Sequence, residues 1–173
     1  MNIKDHCLTM AAYSSWAMAR LLAGVDQLPD DKYLAARKLA FDSVHGTLNH
    51  ILLVERVWLH RCKHMHYEFE TLADEQVSDR AQLKAALTEA YDQWDEFIRA
   101  TPTFDFGNAR EFETSDGKYR SLPLGTMVLH AFNHATHHRG QVSAALTQFN
   151  IAAPAMDLAE FQLERPSGIG HTA

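Results

Sequence analysis

Four stretches of this chain place apolar residues every three to four positions, the spacing of a helix that buries one stripe, and polar breaks separate them. The first runs from about Asp5 to Val25, where Leu8, Ala12, Ser15, Ala19 and Leu22 mark the stripe and Trp16 lies beside it. Leu28-Pro29-Asp30-Asp31 interrupts the pattern and opens a short helical turn predicted to reach about Lys38. Ser43 is placed to cap a second long helix to about Arg61, with Ile51, Leu52, Val54, Trp58 and Leu59 as its bulk. Asp79-Arg80-Ala81-Gln82 has the form of a capping box and opens the third, which keeps a regular stripe to about Ala100. Thr101-Pro102 stops that helix. Phe112 and Thr114 before Asp116-Gly117, with Tyr119 after it, predict a small β-hairpin. Pro123 suits the start of a fourth long helix to about Phe149, Asn150 suits its left-handed ending, and Pro154 prevents its return. Residues 155–161 predict one more short helical segment, and past Arg165 the chain reads as a frayed end.

Long helices joined by connectors too long for the simplest hairpin arrangement predict an all-α fold, a four-helix bundle with at least one crossover connection. The hairpin then lies between the third and fourth helices. At 173 residues the chain fits one domain, placed at 1–165 with 166–173 as a C-terminal tail. Sixteen basic against twenty-two acidic residues give a net charge of −6 with no dense Lys or Arg run. Nucleic acid and anionic membrane surfaces are therefore not expected partners. Cys7 and Cys62 stand without a Cys-x-x-Cys motif and the first residues lack a signal-peptide pattern, so a cytoplasmic protein with reduced thiols is expected. No stretch approaches the roughly eighteen uninterrupted apolar residues of a membrane span.

The candidate chemistry lies in the fourth helix. Four of the eleven histidines fall between His130 and His138. At 100° per residue, His130, His134, His137, His138 and Gln141 share a sector roughly 100° wide. His134 and His138, one turn apart, can converge on one metal ion, although such pairs also decorate solvated faces. In the second helix His50 stands among apolar neighbours, where an imidazole is either hydrogen-bonded in the core or binds something through a ring nitrogen. His60, His64 and His66 follow in a polar helix end and read as surface residues. His45 and Gly46 suggest no role. His50, His134 and His138 together would make a site of three neutral imidazoles with positions left for water or substrate, the arrangement of a catalytic zinc-type centre.

Asn133-His134-Ala135-Thr136-His137-His138-Arg139-Gly140-Gln141 resembles the Asn-His-x-x-x-His-Arg-Gly-Gln signature of the DinB family, the DinB/YfiT-like metalloenzymes. Asn49-His50-Ile51, with Glu55 and Trp58 after it, is similar to that family's second-helix motif. Tyr13 and Trp16 fall where the family carries a helix-one aromatic pattern, with Ser14 and Met18 in place of its frequent asparagines. The resemblance implies a four-helix bundle with a crossover, commonly a homodimer, holding a divalent ion, nickel or zinc, on His50, His134 and His138. It implies supporting or pocket roles for His130, His137, Asn133, Arg139, Gln141, Glu55, Tyr13 and Trp16, Arg139 having a structural carboxylate pairing as its alternative and Glu55 a structural role. It also implies a thiol-dependent S-transferase in which the ion holds a low-molecular-weight thiol as thiolate. A metal-dependent hydrolase and a non-enzymatic metal-binding stress-response protein are the alternatives. The damage-inducible DNA polymerase sharing the DinB name is unrelated, and nothing here resembles a polymerase.

Overall fold

The computed structural model describes residues 2–164; Arg165 and the predicted tail, 166–173, lie outside the described residues. Four long helices carry the fold: α1 (Ile3–Val25), α3 (Val44–Cys62), α4 (Arg80–Ala100) and α5 (Leu124–Gln148). Two short ones, α2 (Asp30–Tyr33) and α6 (Leu158–Glu164), and a hairpin of β1 (Ala109–Glu113) and β2 (Tyr119–Pro123) complete it. A 3-10 turn at Thr103–Gly107, absent from the sequence expectation, buries Phe106 between α1 and α5.

The packing order explains the long connectors. α1 packs against α4 and α5, and α3 packs against the same two helices. Around the bundle the order is therefore α1, α4, α3, α5, with α1 diagonal to α3 and α4 diagonal to α5. The connectors 26–43 and 101–123 each cross between diagonal positions, which two-residue turns could not span.

Local chemistry accounts for the helix boundaries. Asn2 accepts from Asp5 N while the Asp5 carboxylate takes the Asn2 N–H, a reciprocal capping box that starts α1 two residues before its expected beginning. Ser43 Oγ accepts from Gly46 N at the head of α3. Asp79 caps α4 through Gln82 N at 2.8 Å. The helical turn predicted to reach Lys38 stops at Tyr33; further on, Lys38 and Asp42 take left-handed backbone (φ 54° and 60°) and Arg37 N donates to Asp42 O, which turns the connector back. Asn150, at φ 60°, ends α5 as expected. In the hairpin, Phe112 pairs with Arg120 in an antiparallel register around Gly117, whose φ of 74° suits glycine.

One continuous core joins the four long helices, with Trp94, Phe132, Leu52 and Met127 fully enclosed. Cys62, expected at a polar helix end, is instead buried together with Cys7. Burial pushes both thiols up to about 12, so they remain protonated, inert core residues. No described helix is long and apolar enough to cross a membrane.

Candidate metal centre

α3 and α5 are packed neighbours, and that contact brings His50 to the pair on α5. The Nε2 atoms of His50 and His134 lie 3.3 Å apart and those of His138 and His134 lie 3.1 Å apart. One ligand atom from each of the three residues falls within 4.8 Å of the others. His50 and His138 are buried and His134 is half-buried, so the cluster is reached from the His134 side.

The second ring nitrogens fix how the first are aimed. His50 Nδ1 is 2.7 Å from the Leu72 carbonyl oxygen, which can only accept, so the proton is on Nδ1 and the Nε2 lone pair is free. His138 Nδ1 donates likewise to Gln141 Oε1 at 2.9 Å, and the Gln141 amide nitrogen lies 3.2 Å from His137 Nε2, consistent with that amide orientation. His134 Nδ1 is buried without a hydrogen-bond partner. Were His134 to carry its proton on Nε2, that single N–H would face two lone pairs and satisfy one of them. A cation at the convergence point satisfies all three. Tetrahedral zinc with Zn–N of about 2.0–2.1 Å would set its nitrogens about 3.3–3.4 Å apart, close to the two spacings that His134 makes, and the third lies within 4.8 Å.

Burial keeps these rings neutral, as ligation requires. It lowers His50 to about 4, against the opposing pull of the Leu72 bond and with help from His138. It lowers His134 to about 3, aided by the neighbouring His138, His50, His130 and His137. His138 is lowered by burial, with Gln141 opposing.

The remaining expected residues divide. Gln141 orients His138 directly. His137 is exposed, its ring 4.8 Å from that of His138. His130 keeps an exposed edge, packs on Trp58 with ring centroids 4.5 Å apart and lies 6.2 Å from the His134 ring; partial burial and the Arg61 charge lower its pKa. Asn133 is exposed and makes no hydrogen bond among the described residues.

Four of the pocket candidates point into the scaffold instead. Glu55 is buried one and a half turns beyond His50, and its Oε2 accepts from Trp94 Nε1 at 2.6 Å, joining α3 to α4. Burial raises its carboxyl to about 7, with Trp94, Arg139 and Tyr91 pulling the other way. Arg139, although next to His138, is 1% exposed and donates to Thr136 Oγ1. The 100° step between adjacent helical residues turns it inward towards Tyr13, whose ring lies 5.5 Å from its guanidinium. Tyr13 and Trp16 are walls of a satellite core with Phe161 of α6, not of the histidine site; Tyr13 OH donates to Met156 O and Trp16 Nε1 to Glu164.

Two contributors had no periodic signal: the Leu72 carbonyl and Phe41. The Phe41 ring stacks on His50 with centroids 3.6 Å apart and planes 14° apart, and meets His138 edge-on at 5.6 Å. His45, which suggested no role, is buried and joins Tyr33 OH, the exposed Glu75 and Asn49, whose Oδ1 takes Gln76 N and Val77 N. That cluster pins the segment from which Leu72 reaches His50.

A cavity of about 680 Å³ lies between residues 64–72 and the hairpin, within the usual size of small-molecule sites. Leu72, Arg61, His64 and His66 line it, the three converging histidines do not, and its charged lining is Arg61 against Glu68, Glu70, Glu111 and Glu113. It adjoins the centre across Leu72.

The chain was compared with known proteins. It is 21% identical over 168 residues to Protein DinB of Bacillus subtilis (strain 168), covering 90% of this chain and 92% of that one. Among solved structures it is similar to YfiT from Bacillus subtilis, described as "a probable metal-dependent hydrolase with an unusual four-helix bundle topology", with a TM-score of 0.63 at 16% identity over 86% of this chain and 89% of that one. That similarity is of fold. The DinB family model matches residues 1–166, nearly the whole chain, and the chain belongs to the DinB family.

Proposed function

We propose that this protein is a divalent-metal-dependent enzyme of hydrolase type, with His50, His134 and His138 as the ligands. The observation that carries the reading is the convergence of three Nε2 atoms with two of the opposite nitrogens already donating, to Leu72 O and Gln141 Oε1. Imidazole donors suit zinc or nickel, and three neutral ligands leave the ion its full charge. When bound, such an ion supplies Lewis acidity that brings the pKa of a coordinated water or thiol towards neutrality.

The protein's own groups supply the rest. Leu72 and Gln141 hold two rings in the ligating tautomer. His130, exposed and with its ring 6.2 Å from that of His134, is placed to accept a proton from a nucleophile at the open side. The adjoining cavity gives a substrate apolar walls in Val57, Leu72 and Phe112. The hydrolase description of the similarly folded YfiT points the same way by analogy.

A thiol-dependent S-transferase is the second reading, since the same open site can hold a thiolate. Four glutamates outweigh Arg61 in the cavity, even with His64 and His66 beside it, and make a poor seat for an anionic thiol, which places hydrolysis first. Metal analysis with X-ray absorption on protein purified without a metal-affinity column tests the centre. About one ion per chain, on three imidazole nitrogens with exchangeable oxygen ligands, is expected. A closed protein shell leaves the non-enzymatic metal-binding reading, and no ion overturns the metal centre itself. p-Nitrophenyl esters against a thiol with a chlorinated electrophile then separate hydrolase from transferase. The homodimer that the family resemblance implies is part of the proposal and is read by light scattering.

A further inference from the structure

We propose that Phe41 is a positioning residue of the three-histidine centre: its ring holds the plane of His50 and closes one side of the ion site, leaving exchange to the His134 side. The inference rests on the metal reading above.

His50 leaves α3 on a flexible side chain, and its direction decides whether its Nε2 meets those of the α5 pair. The Leu72 carbonyl restrains one ring atom, which still permits rotation about that hydrogen bond. Phe41 removes this freedom by lying flat on the imidazole face, at 3.6 Å and 14°, while its edge contact with His138 spans the two ligand helices. Flat stacking on one ring and edge contact with another are both favourable aromatic geometries.

The surrounding chain is built to keep the ring there. Residues 37–43 fold back on themselves through Arg37 N to Asp42 O, Asp42 N to Leu39 O and Ser43 N to Phe41 O. The Arg37 guanidinium lies 4.3 Å from the Phe149 ring at the end of α5, tying the loop to the second ligand helix. Most telling is Gly46, in the first turn of α3. A Cβ at that position would stand 2.2 Å from the Phe41 carbonyl oxygen and 3.3 Å from its carbon. Glycine is a poor helix former and its φ here is not left-handed, so its backbone freedom is not what the position uses. Its missing side chain lets the Phe41 backbone lie against α3.

The test is the rate at which a chromophoric chelator strips zinc from the loaded full chain, read beside the ligand-field spectrum of the cobalt(II) form. Phe41→Ala is expected to speed stripping about 10- to 100-fold, the range for residues that orient metal ligands. It should alter the cobalt bands with helix content unchanged. Phe41→Tyr keeps the stack and should strip within about threefold of the parent. Gly46→Ala improves helix propensity yet displaces the Phe41 backbone, and should reproduce the Phe41→Ala rate with the phenyl ring still present. Leu34→Ala, at an exposed position in the same connector, should change neither readout. Equal stripping by the parent and Phe41→Ala overturns the role of Phe41 while the metal reading stands. Acceleration by Leu34→Ala as large as by Phe41→Ala overturns it too, because general loosening would then suffice. A parent chain that retains no ion overturns both readings.

Discussion

His138 and Gln141, three residues apart on α5, face one another with Nδ1 and Oε1 2.9 Å apart, so a neighbour on the same helix sets the tautomer of a proposed ligand. Truncating Gln141 to Ala removes the acceptor and frees the ring. Zinc affinity should fall about 10- to 100-fold, while Gln141→Glu, which keeps an acceptor, should stay near the parent. Competition titration against a chelator of known affinity reads both.

His134 is shared by both close Nε2 contacts. His134→Ala should therefore abolish stoichiometric metal binding and leave helix content largely intact. His64→Ala, on the exposed segment after α3, should change neither metal content nor helix content. Full metal content in the His134 variant, by elemental analysis, would sink the triad.

The lowered pKa values of His50 and His134, about 4 and 3 in the folded chain, fix a pH signature. An unfolded histidine takes its proton near pH 6.5, so between there and about 4 the unfolded state binds protons that the folded state refuses. Stability of the apoprotein should be unaffected by these groups above about pH 6.5 and decline as pH falls through that window. Urea midpoints measured from pH 7 to 4 check the slope, which His134→Gln should flatten.

Glu55 accepts from Trp94 inside the core and faces Arg139 there. Glu55→Ala leaves a buried indole N–H unpaired and a buried guanidinium without its neighbouring carboxylate, at a cost of about 2–5 kcal/mol. Denaturant unfolding measures that loss. Below the transition the variant should still hold the ion, since Glu55 touches none of the three histidines by hydrogen bond.

The raised carboxyl of Glu55 has its own pH dependence. A folded pKa of about 7, above that of the unfolded chain, means the unfolded state releases its proton first as pH rises. The contribution of Glu55 to stability is complete below the unfolded carboxylate pKa and is lost as pH rises through about 7. This slope opposes that of the histidines. Comparing parent and Glu55→Ala across pH 4 to 8 separates the two.

The sequence by itself determined the elements and half of the centre. Helical periodicity is a short-range property, so apolar spacing, caps at Ser43 and Asp79 and the stop at Asn150 were readable without knowing what each helix touches. The turn between His134 and His138 was readable for the same reason. Spacing left His50 open between core and ligand; its place in a bundle core made it a candidate third imidazole, and the family motif pointed to it. The tertiary structure decided the rest. Which helices are neighbours depends on connectors 26–43 and 101–123 crossing the bundle, and these carry no period. Tyr13, Trp16, Glu55 and Arg139 share motifs with the site yet pack elsewhere, because a side chain's destination follows from its angle on the helix and from what lies opposite. Phe41 and the Leu72 carbonyl reach His50 from irregular segments. A ring in a loop and a backbone oxygen acquire a role only when chain far from them in sequence is folded against them.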